Sequence, residues 1–130
     1  MILLDTHVLL WAAATPARLP AALREELTDP ARRVLFSVAS LWEVTIKRAL
    51  ARPDFDVDPR ALREGLRANG FEELPILAPH ALAVADLPAL HRDPFDRVLI
   101  AQATAEDATL VTADAAVAAY PGPIRAIRPA

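Results

Sequence analysis

The apolar positions of the chain fall into short continuous runs separated by longer stretches with helical spacing. The clearest runs are Ile2–Leu4, Val34–Ser37 and Thr109–Thr112. A run of this length between polar residues is typical of a strand that is buried on both faces of a sheet. Two weaker segments, residues 74–76 and 124–127, predict edge strands, the first because it contains a proline, which cannot donate to a central ladder.

Helix start signals stand between these runs. Ser40 has the capping-box spacing to Glu43, which predicts a helix that begins at Ser40. Asp58 and Asp93 each precede a proline, the usual order of an N-cap and the first helical residue. The predicted helices are residues 6–14, 20–27, 40–50, 58–69, 80–87, 93–107 and 114–120.

The alternation of strands and helices indicates a parallel sheet with right-handed crossovers. We therefore expect an α/β fold: a three-layer α/β/α arrangement around a mostly parallel sheet of roughly five strands. The chain of 130 residues is 54% hydrophobic, which fits one domain spanning residues 1–130 with a real core.

Composition narrows the function classes. There is no cysteine, so disulfides and thiolate metal sites are excluded. No apolar run approaches the roughly 18 residues that cross a membrane, and a cytoplasmic location is expected. The net charge of −3 argues against a surface coated for nucleic acid. A bound cation would reverse that sign locally, and a rim of arginines, with Arg48 and Arg97 among them, could hold phosphates.

Four acidic residues from separate segments are expected to converge. Asp5 ends the first strand, and Asp114 lies two residues past the strand that ends at Thr112. Ligands of open parallel sheets bind beyond the carboxyl ends of the strands, where the strand order reverses. Helix N-termini face the same end of the sheet, which brings Glu43 and Asp96 to that crevice. The sequence therefore predicts one cluster of four carboxylates.

Carboxylates without a convergent histidine or cysteine favour magnesium, with manganese as a substitute, over zinc. The three histidines have no metal-ligand spacing, and each is interpreted as structural: His7, His80 and His91. Our hypothesis is that Asp5 and Asp96 bind the metal directly. Asp114 completes the shell or orients the attacking water, and Glu43 binds through water or a second metal or acts as a base.

Each acid also has a structural interpretation. Glu43 stands four residues before Lys47, the favourable order for a helix ion pair. Asp93 is better explained as a cap than as a catalytic group. Asp96 can complement the helix dipole, and Asp114 can cap the helix that it begins. Spacing alone leaves these alternatives open.

Four strings of the sequence resemble the PIN-domain family, and VapC-type toxins within it, in their order and spacing. They are LLDTHVLLWA, SVASLWEVTIK, DPFDRVLIAQA and TLVTAD. The resemblance spans nearly the whole chain. It implies a flavodoxin-like sheet, a metal-dependent endoribonuclease, a homodimer and a VapB-type antitoxin partner. It assigns the family's acids to Asp5, Glu43, Asp96 and Asp114, with Thr112 and Thr6 in support. One departure is Ala113, where relatives often carry arginine.

Other function classes with acidic sites fit the sequence to different degrees. A haloacid dehalogenase-type phosphatase needs a second Asp where this chain has His7, and a response-regulator receiver needs a lysine near its end, whereas the only lysine is Lys47. A protein-binding domain without catalysis and a DNA nuclease stay open, since acid clusters do not distinguish the two nucleic acids. Trp11 and Trp42 are interpreted as core or interface residues.

Overall fold

A computed structural model describes residues 1–130. The strands are β1 (Ile2–Leu4), β2 (Val34–Ser37), β3 (Glu72–Leu74), β4 (Thr109–Thr112) and β5 (Ile124–Ala126). The α-helices are α1 (Thr6–Ala14), α2 (Ala21–Thr28), α3 (Val38–Ala49), α4 (Pro59–Ala68), α5 (Ala78–Ala83), α6 (Pro94–Ala105) and α7 (Ala115–Ala118). No helix has the length and apolarity that a membrane crossing requires.

The five strands form one sheet in the order β3-β2-β1-β4-β5, and every neighbouring pair is parallel. Side chains of β1 alternate between the two faces: Ile2 and Leu4 join one core cluster, and Leu3 joins the other. The first cluster packs under α1, α2 and α4, and the second under α6 and α7. Burial on both faces explains the uniformly apolar runs and confirms the predicted fold class.

The strand order reverses beside β1. The chain passes from β1 to β2 and β3 on one side, then returns to β4 on the other. The backbone N–H of Asp5 donates to the carbonyl of Val111 at 3.0 Å, which extends the pairing of β1 and β4 by one residue. The crevice at the carboxyl ends of these two strands is therefore the place where such folds bind ligands.

The predicted caps are confirmed at two helices and wrong at a third. Asp58 caps α4 and Asp93 caps α6 through their side-chain oxygens. The prediction that Ser40 caps the third helix is wrong, because α3 begins at Val38 and Ser37 Oγ accepts from the N–H of Ala39 at 3.0 Å. The strand runs directly into the helix, so its last residue supplies the acceptor.

Several other predicted boundaries also shift, and the last helix, predicted at residues 114–120, is shorter, at Ala115–Ala118. The third strand lies at the edge as expected but ends at Leu74, before Pro75, instead of covering residues 74–76. The helix expected at residues 80–87 is α5, followed by a 3₁₀ turn at Val84–Asp86. A second 3₁₀ turn, at Pro16–Arg18, follows α1.

Candidate active site

Thr112 links two of the four acids across the crevice. Asp5 is buried; its Oδ1 caps α1 by accepting from the N–H of Val8 at 2.9 Å, and its Oδ2 accepts from the hydroxyl of Thr112. The same hydroxyl oxygen accepts from the N–H of Asp114 at 3.0 Å. The Asp114 carboxylate caps α7 by accepting from the N–H of Ala116, so Thr112 holds the carboxylate of Asp5 and the backbone of Asp114.

Burial raises the pKa of the Asp5 carboxyl above its ordinary value. Hydrogen bonds from Thr112 and Val8 act in the opposite direction, and the charge of Asp114 adds to the rise. A carboxylate that is desolvated and close to another acid is under electrostatic strain that a bound cation relieves.

Asp96 lies in the first turn of α6, and its pKa is raised to about 6. Burial is the largest cause, followed by the negative charge of Asp93, and Glu43 and Asp114 raise the pKa further. A hydrogen bond from His91 lowers it. The charges of Glu43 on α3 and of Asp114 after β4 therefore act on Asp96, which indicates that these segments lie close to one another.

Glu43 combines an ion pair with an unsatisfied oxygen. Lys47 Nζ lies 3.1 Å from Glu43 Oε2, which confirms the ion-pair interpretation of this spacing. Glu43 Oε1 is buried and has no hydrogen-bond partner. An isolated acceptor of this kind costs free energy. A cation or a water bound to it in the crevice would remove that cost.

The residues present fit a divalent cation. The donors are carboxylate oxygens from four chain segments, the pKa values of two of them are raised, and Glu43 Oε1 lacks a partner. Oxygen donors suit a hard ion such as magnesium or manganese. The tightest group of potential ligand atoms, all within 4.8 Å of one another, belongs to His91, Asp93 and Asp96. The four predicted acids do not form a group this tight, but the charge of Asp114 acts on Asp5, and the charges of Glu43 and Asp114 act on Asp96.

His91, which the sequence interpretation treats as structural, lies beside one of the proposed metal ligands. Its Nε2 lies 2.9 Å from Asp96 Oδ2. The sequence concealed this contact because it depends on the conformation of the loop before α6. Of the other two histidines, His7 is exposed but close enough to Asp5 that its charge lowers the pKa of that carboxyl, and the buried His80 contacts Glu106 at 2.8 Å.

Thr6 and Ser40 connect the helices that carry two of the acids. Both side chains are buried, and Thr6 Oγ1 donates to Ser40 Oγ at 3.0 Å. Thr6 follows Asp5 directly, and Ser40 lies three residues before Glu43 in α3. This bond ties the start of α1 to the face of α3 that carries Glu43, a function that sequence reasoning did not assign to Ser40.

The two predicted phosphate-binding arginines have different surroundings. Arg97 donates from Nη1 to the carbonyl of Pro88 at 2.9 Å and from Nη2 to the carbonyl of Val84 at 3.1 Å. Arg48 is exposed and lies 3.3 Å from Asp58 and 3.8 Å from Asp56. The guanidinium of Arg97 is therefore hydrogen-bonded to backbone carbonyls. The guanidinium of Arg48 contacts exposed carboxylates, whose place a phosphate can take.

Two comparisons with known proteins give different outcomes. The chain matches the family model described as PIN domain over residues 2–123. A search of curated proteins finds no match.

Solved VapBC structures share the fold. A chain of VapBC2 from Rickettsia felis, bound to a DNA fragment from the promoter, superposes with a TM-score of 0.70 at 19% identity, covering 97% of this chain and 98% of that one. DNA-bound VapBC from Salmonella typhimurium gives the same values. VapBC-5 of Mycobacterium tuberculosis, a member of the VapBC family of toxin–antitoxin systems, gives a TM-score of 0.59 at 26% identity, covering 98% and 97%.

Proposed function

The chain belongs to the PIN-domain family, and on this premise we propose that it is a magnesium-dependent endoribonuclease, the toxin of a VapBC-type pair. The observation that supports the proposal is the mutual electrostatic influence of Asp5, Glu43, Asp96 and Asp114 near the point where the strand order reverses. Burial raises the pKa values of Asp5 and Asp96, so keeping both carboxyls ionised there costs free energy that a bound cation would offset.

The chain's own residues would hold the metal and orient the reactants. Asp5 and Asp96 are the proposed direct ligands, because burial and neighbouring acids make a cation most favourable beside them. Asp114 completes the shell or orients water, and Glu43 contributes Oε1 directly, through water or as a base. When bound, magnesium supplies Lewis acidity and a more acidic water for hydrolysis of a phosphodiester. Manganese has similar ligand preferences and is expected to substitute.

RNA is the proposed substrate, and Arg48 the first candidate for a phosphate contact. Its ion pairs are exposed and hence weak. Arg97 stays a phosphate candidate, but its hydrogen bonds to backbone carbonyls give it a structural function first. A nuclease that cuts cellular RNA would act in the cytoplasm. Recognition of RNA over DNA would depend on contacts to the 2′-hydroxyl at the rim.

A VapB-type antitoxin is the proposed protein partner, because the similar structures are VapBC assemblies. The chain has a place for an apolar segment of such a partner: a cavity of about 940 Å³ between α1, α2 and α4. Leu27 and Phe71 contribute apolar surface, and Arg24 and Arg32 lie at the same cavity. Inhibition of cleavage by the product of the adjacent gene, in a complex of defined stoichiometry, would test this pairing.

The homodimer is proposed to form through α3. Trp42 and Ile46 on this helix and Leu50, its C-cap, stand four residues apart and are 57%, 41% and 59% exposed. An exposed apolar stripe marks a protein interface, and a two-fold axis lets it pack against itself. Light scattering should show a dimer that Ile46→Asp dissociates, whereas Leu82→Asp, on α5, should leave it intact. A monomeric wild type, or a dimeric Ile46→Asp variant, would contradict the proposal.

Cleavage of labelled single-stranded RNA tests the nuclease. We expect cleavage that EDTA abolishes, that magnesium or manganese restores, and that Asp5→Asn and Asp96→Asn remove. Asp54→Asn is the control, since Asp54 is exposed and distant from the acids in sequence. A DNA strand of the same sequence separates the two nucleic acids. Full cleavage by Asp5→Asn would overturn the assignment of the site.

A further inference from the structure

We propose that His91 is a positioning residue for Asp96: its imidazole holds Oδ2 so that Oδ1 faces the divalent cation. The inference rests on the proposed function, because it concerns the same metal centre. It adds a residue that the four-acid description omits. His91 acts through Asp96 and does not itself contact the metal.

The contact between the two side chains is specific and shielded. His91 Nε2 lies 2.9 Å from Asp96 Oδ2, and the side chains are only 29% and 16% exposed. An ionised carboxylate only accepts hydrogen bonds, so the imidazole is the donor in this pair. No protein group donates to Asp96 Oδ1. The carboxylate is therefore fixed at one oxygen and available at the other.

The loop that carries His91 is itself fixed by Tyr120. The N–H of His91 donates to the Tyr120 hydroxyl at 2.8 Å, and that hydroxyl donates to the carbonyl of His91 at 3.0 Å. Arg97 Nη1 also donates to the hydroxyl, at 3.0 Å. Tyr120 is buried, and these bonds use its one proton and two acceptor positions. The segment that follows α7 thus holds the backbone of His91 and, through it, restricts the position of the imidazole beside Asp96.

The hydrogen bonds that His91 and Asp93 already make favour a positioning function for His91 over direct ligation of the metal. His91 Nε2 is bound to Asp96, and Asp93 Oδ1 accepts from the N–H groups of Phe95 and Asp96 while it caps α6. Hydrogen bonds to a ligating carboxylate orient it, and their loss typically weakens metal binding. Without the imidazole, the Asp96 carboxylate would rotate among several orientations.

The dissociation constant for Mn²⁺, measured on the full-length chain by EPR of the free ion, tests the inference without any cleavage assay. His91→Leu removes the donor, and His91→Gln places an amide N–H near the position of Nε2. We expect the leucine variant to bind Mn²⁺ about tenfold more weakly and the glutamine variant to stay within about threefold of wild type. Tyr120→Phe, which frees the loop and keeps the imidazole, should weaken binding to an intermediate degree.

Glu106→Ala is the matched control, because it breaks the other histidine–carboxylate contact of α6, between His80 and Glu106 at its far end. It should lower the melting temperature and leave Mn²⁺ affinity unchanged. Wild-type affinity in His91→Leu, or equal loss in the glutamine variant, would overturn the inference. So would coupling of Mn²⁺ to an imidazole nitrogen in pulsed EPR. A wild type that binds no Mn²⁺ would instead overturn the proposed function.

Discussion

The hydroxyl of Thr112 donates a hydrogen bond to Oδ2 of Asp5, a residue 107 positions away in the chain. Thr112 ends β4 and Asp5 follows β1, so the bond joins the two strands at the point where the sheet order reverses. The same oxygen accepts from the N–H of Asp114. One buried side chain thus determines the relative positions of two acids that would otherwise repel each other.

Thr112→Val should separate this positioning function from simple space filling. Valine has nearly the same shape but leaves Asp5 Oδ2 and the N–H of Asp114 without their partner. We expect the free energy of unfolding to fall by about 1–3 kcal/mol and RNA cleavage to fall by at least about tenfold. Thr112→Ser keeps the hydroxyl and should retain most activity. Denaturation and cleavage assays check both, and equal activity of the valine and serine variants would contradict the bridge.

Asp5→Asn should remove activity without harming the fold. The amide oxygen can still cap α1 at Val8, and the buried charge, whose pKa burial raises, is removed. The amide nitrogen, which then faces Thr112, can donate to its oxygen and so replace the bond that Oδ2 accepted. In metal-free protein at neutral pH we therefore expect an equal or higher melting temperature. Loss of a metal ligand should lower cleavage by about 10³-fold or more. Calorimetry with and without magnesium checks this, and the variant should lose the magnesium-dependent stabilisation that linkage gives the wild type.

The fold was largely predictable because its strands are buried on both faces. The three apolar runs coincide with β1, β2 and β4, and Asp58 and Asp93 cap the helices that they were expected to cap. The cap at α3 was wrong because a strand that leads straight into a helix leaves no separate N-cap signal. Local patterns record burial and capping well, since both depend on neighbouring residues.

The supporting contacts of the site could not be predicted in the same way. Thr6 meets Ser40 because α1 packs against α3, and His91 meets Asp96 because of the conformation of the loop before α6; no spacing in the chain encodes either contact. His91 lacks the regular spacing by which a metal-binding histidine is recognised. The four acids could be proposed from the sequence because they follow strands or lie in the first half of helices, which places them towards one end of a parallel sheet; their joint binding of a metal stays a prediction.

Lys47→Met should make the acid cluster more negative. Lys47 lies 3.1 Å from Glu43 Oε2, and its removal leaves the buried Glu43 without a counter-charge. We expect the metal-free protein to lose about 1 kcal/mol of stability, since the pair is mostly shielded from solvent. The stabilisation by magnesium should increase, because the cation then replaces the ammonium group. Thermal unfolding across a magnesium titration checks this, and a smaller magnesium response than that of wild type would contradict it.

Arg97→Met should act on stability more than on RNA binding. Its guanidinium joins the carbonyls of Pro88 and Val84 to the hydroxyl of Tyr120. Loss of several charge-assisted bonds should cost about 2–4 kcal/mol of unfolding free energy. Arg48→Met, whose ion pairs are exposed, should change stability little and reduce the salt dependence of RNA binding. Stable Arg97→Met protein with weakened RNA binding would instead favour the phosphate-contact prediction.

Stability and metal affinity should respond to pH in opposite directions because of Asp96. Its pKa is about 6 in the folded protein, where burial is the largest cause, and near its ordinary value when unfolded. A raised carboxyl pKa means that the folded state binds the proton more tightly. The corresponding stability is fully present below the unfolded pKa, at about pH 4, and is lost as the pH rises through about 6.

For this partly exposed carboxyl, after allowance for solvent screening, the loss should be on the order of 1–2 kcal/mol in metal-free protein. Mn²⁺ affinity should rise over the same interval, by up to about tenfold per pH unit, because binding displaces the proton from Asp96. Urea denaturation and Mn²⁺ titration of wild type and Asp96→Asn, compared pH by pH, isolate this group from Asp5, whose pKa is also raised. If the difference in unfolding free energy between the two proteins stays constant from pH 4 to pH 7, Asp96 keeps an ordinary pKa. Burial and neighbouring acids then do not raise it.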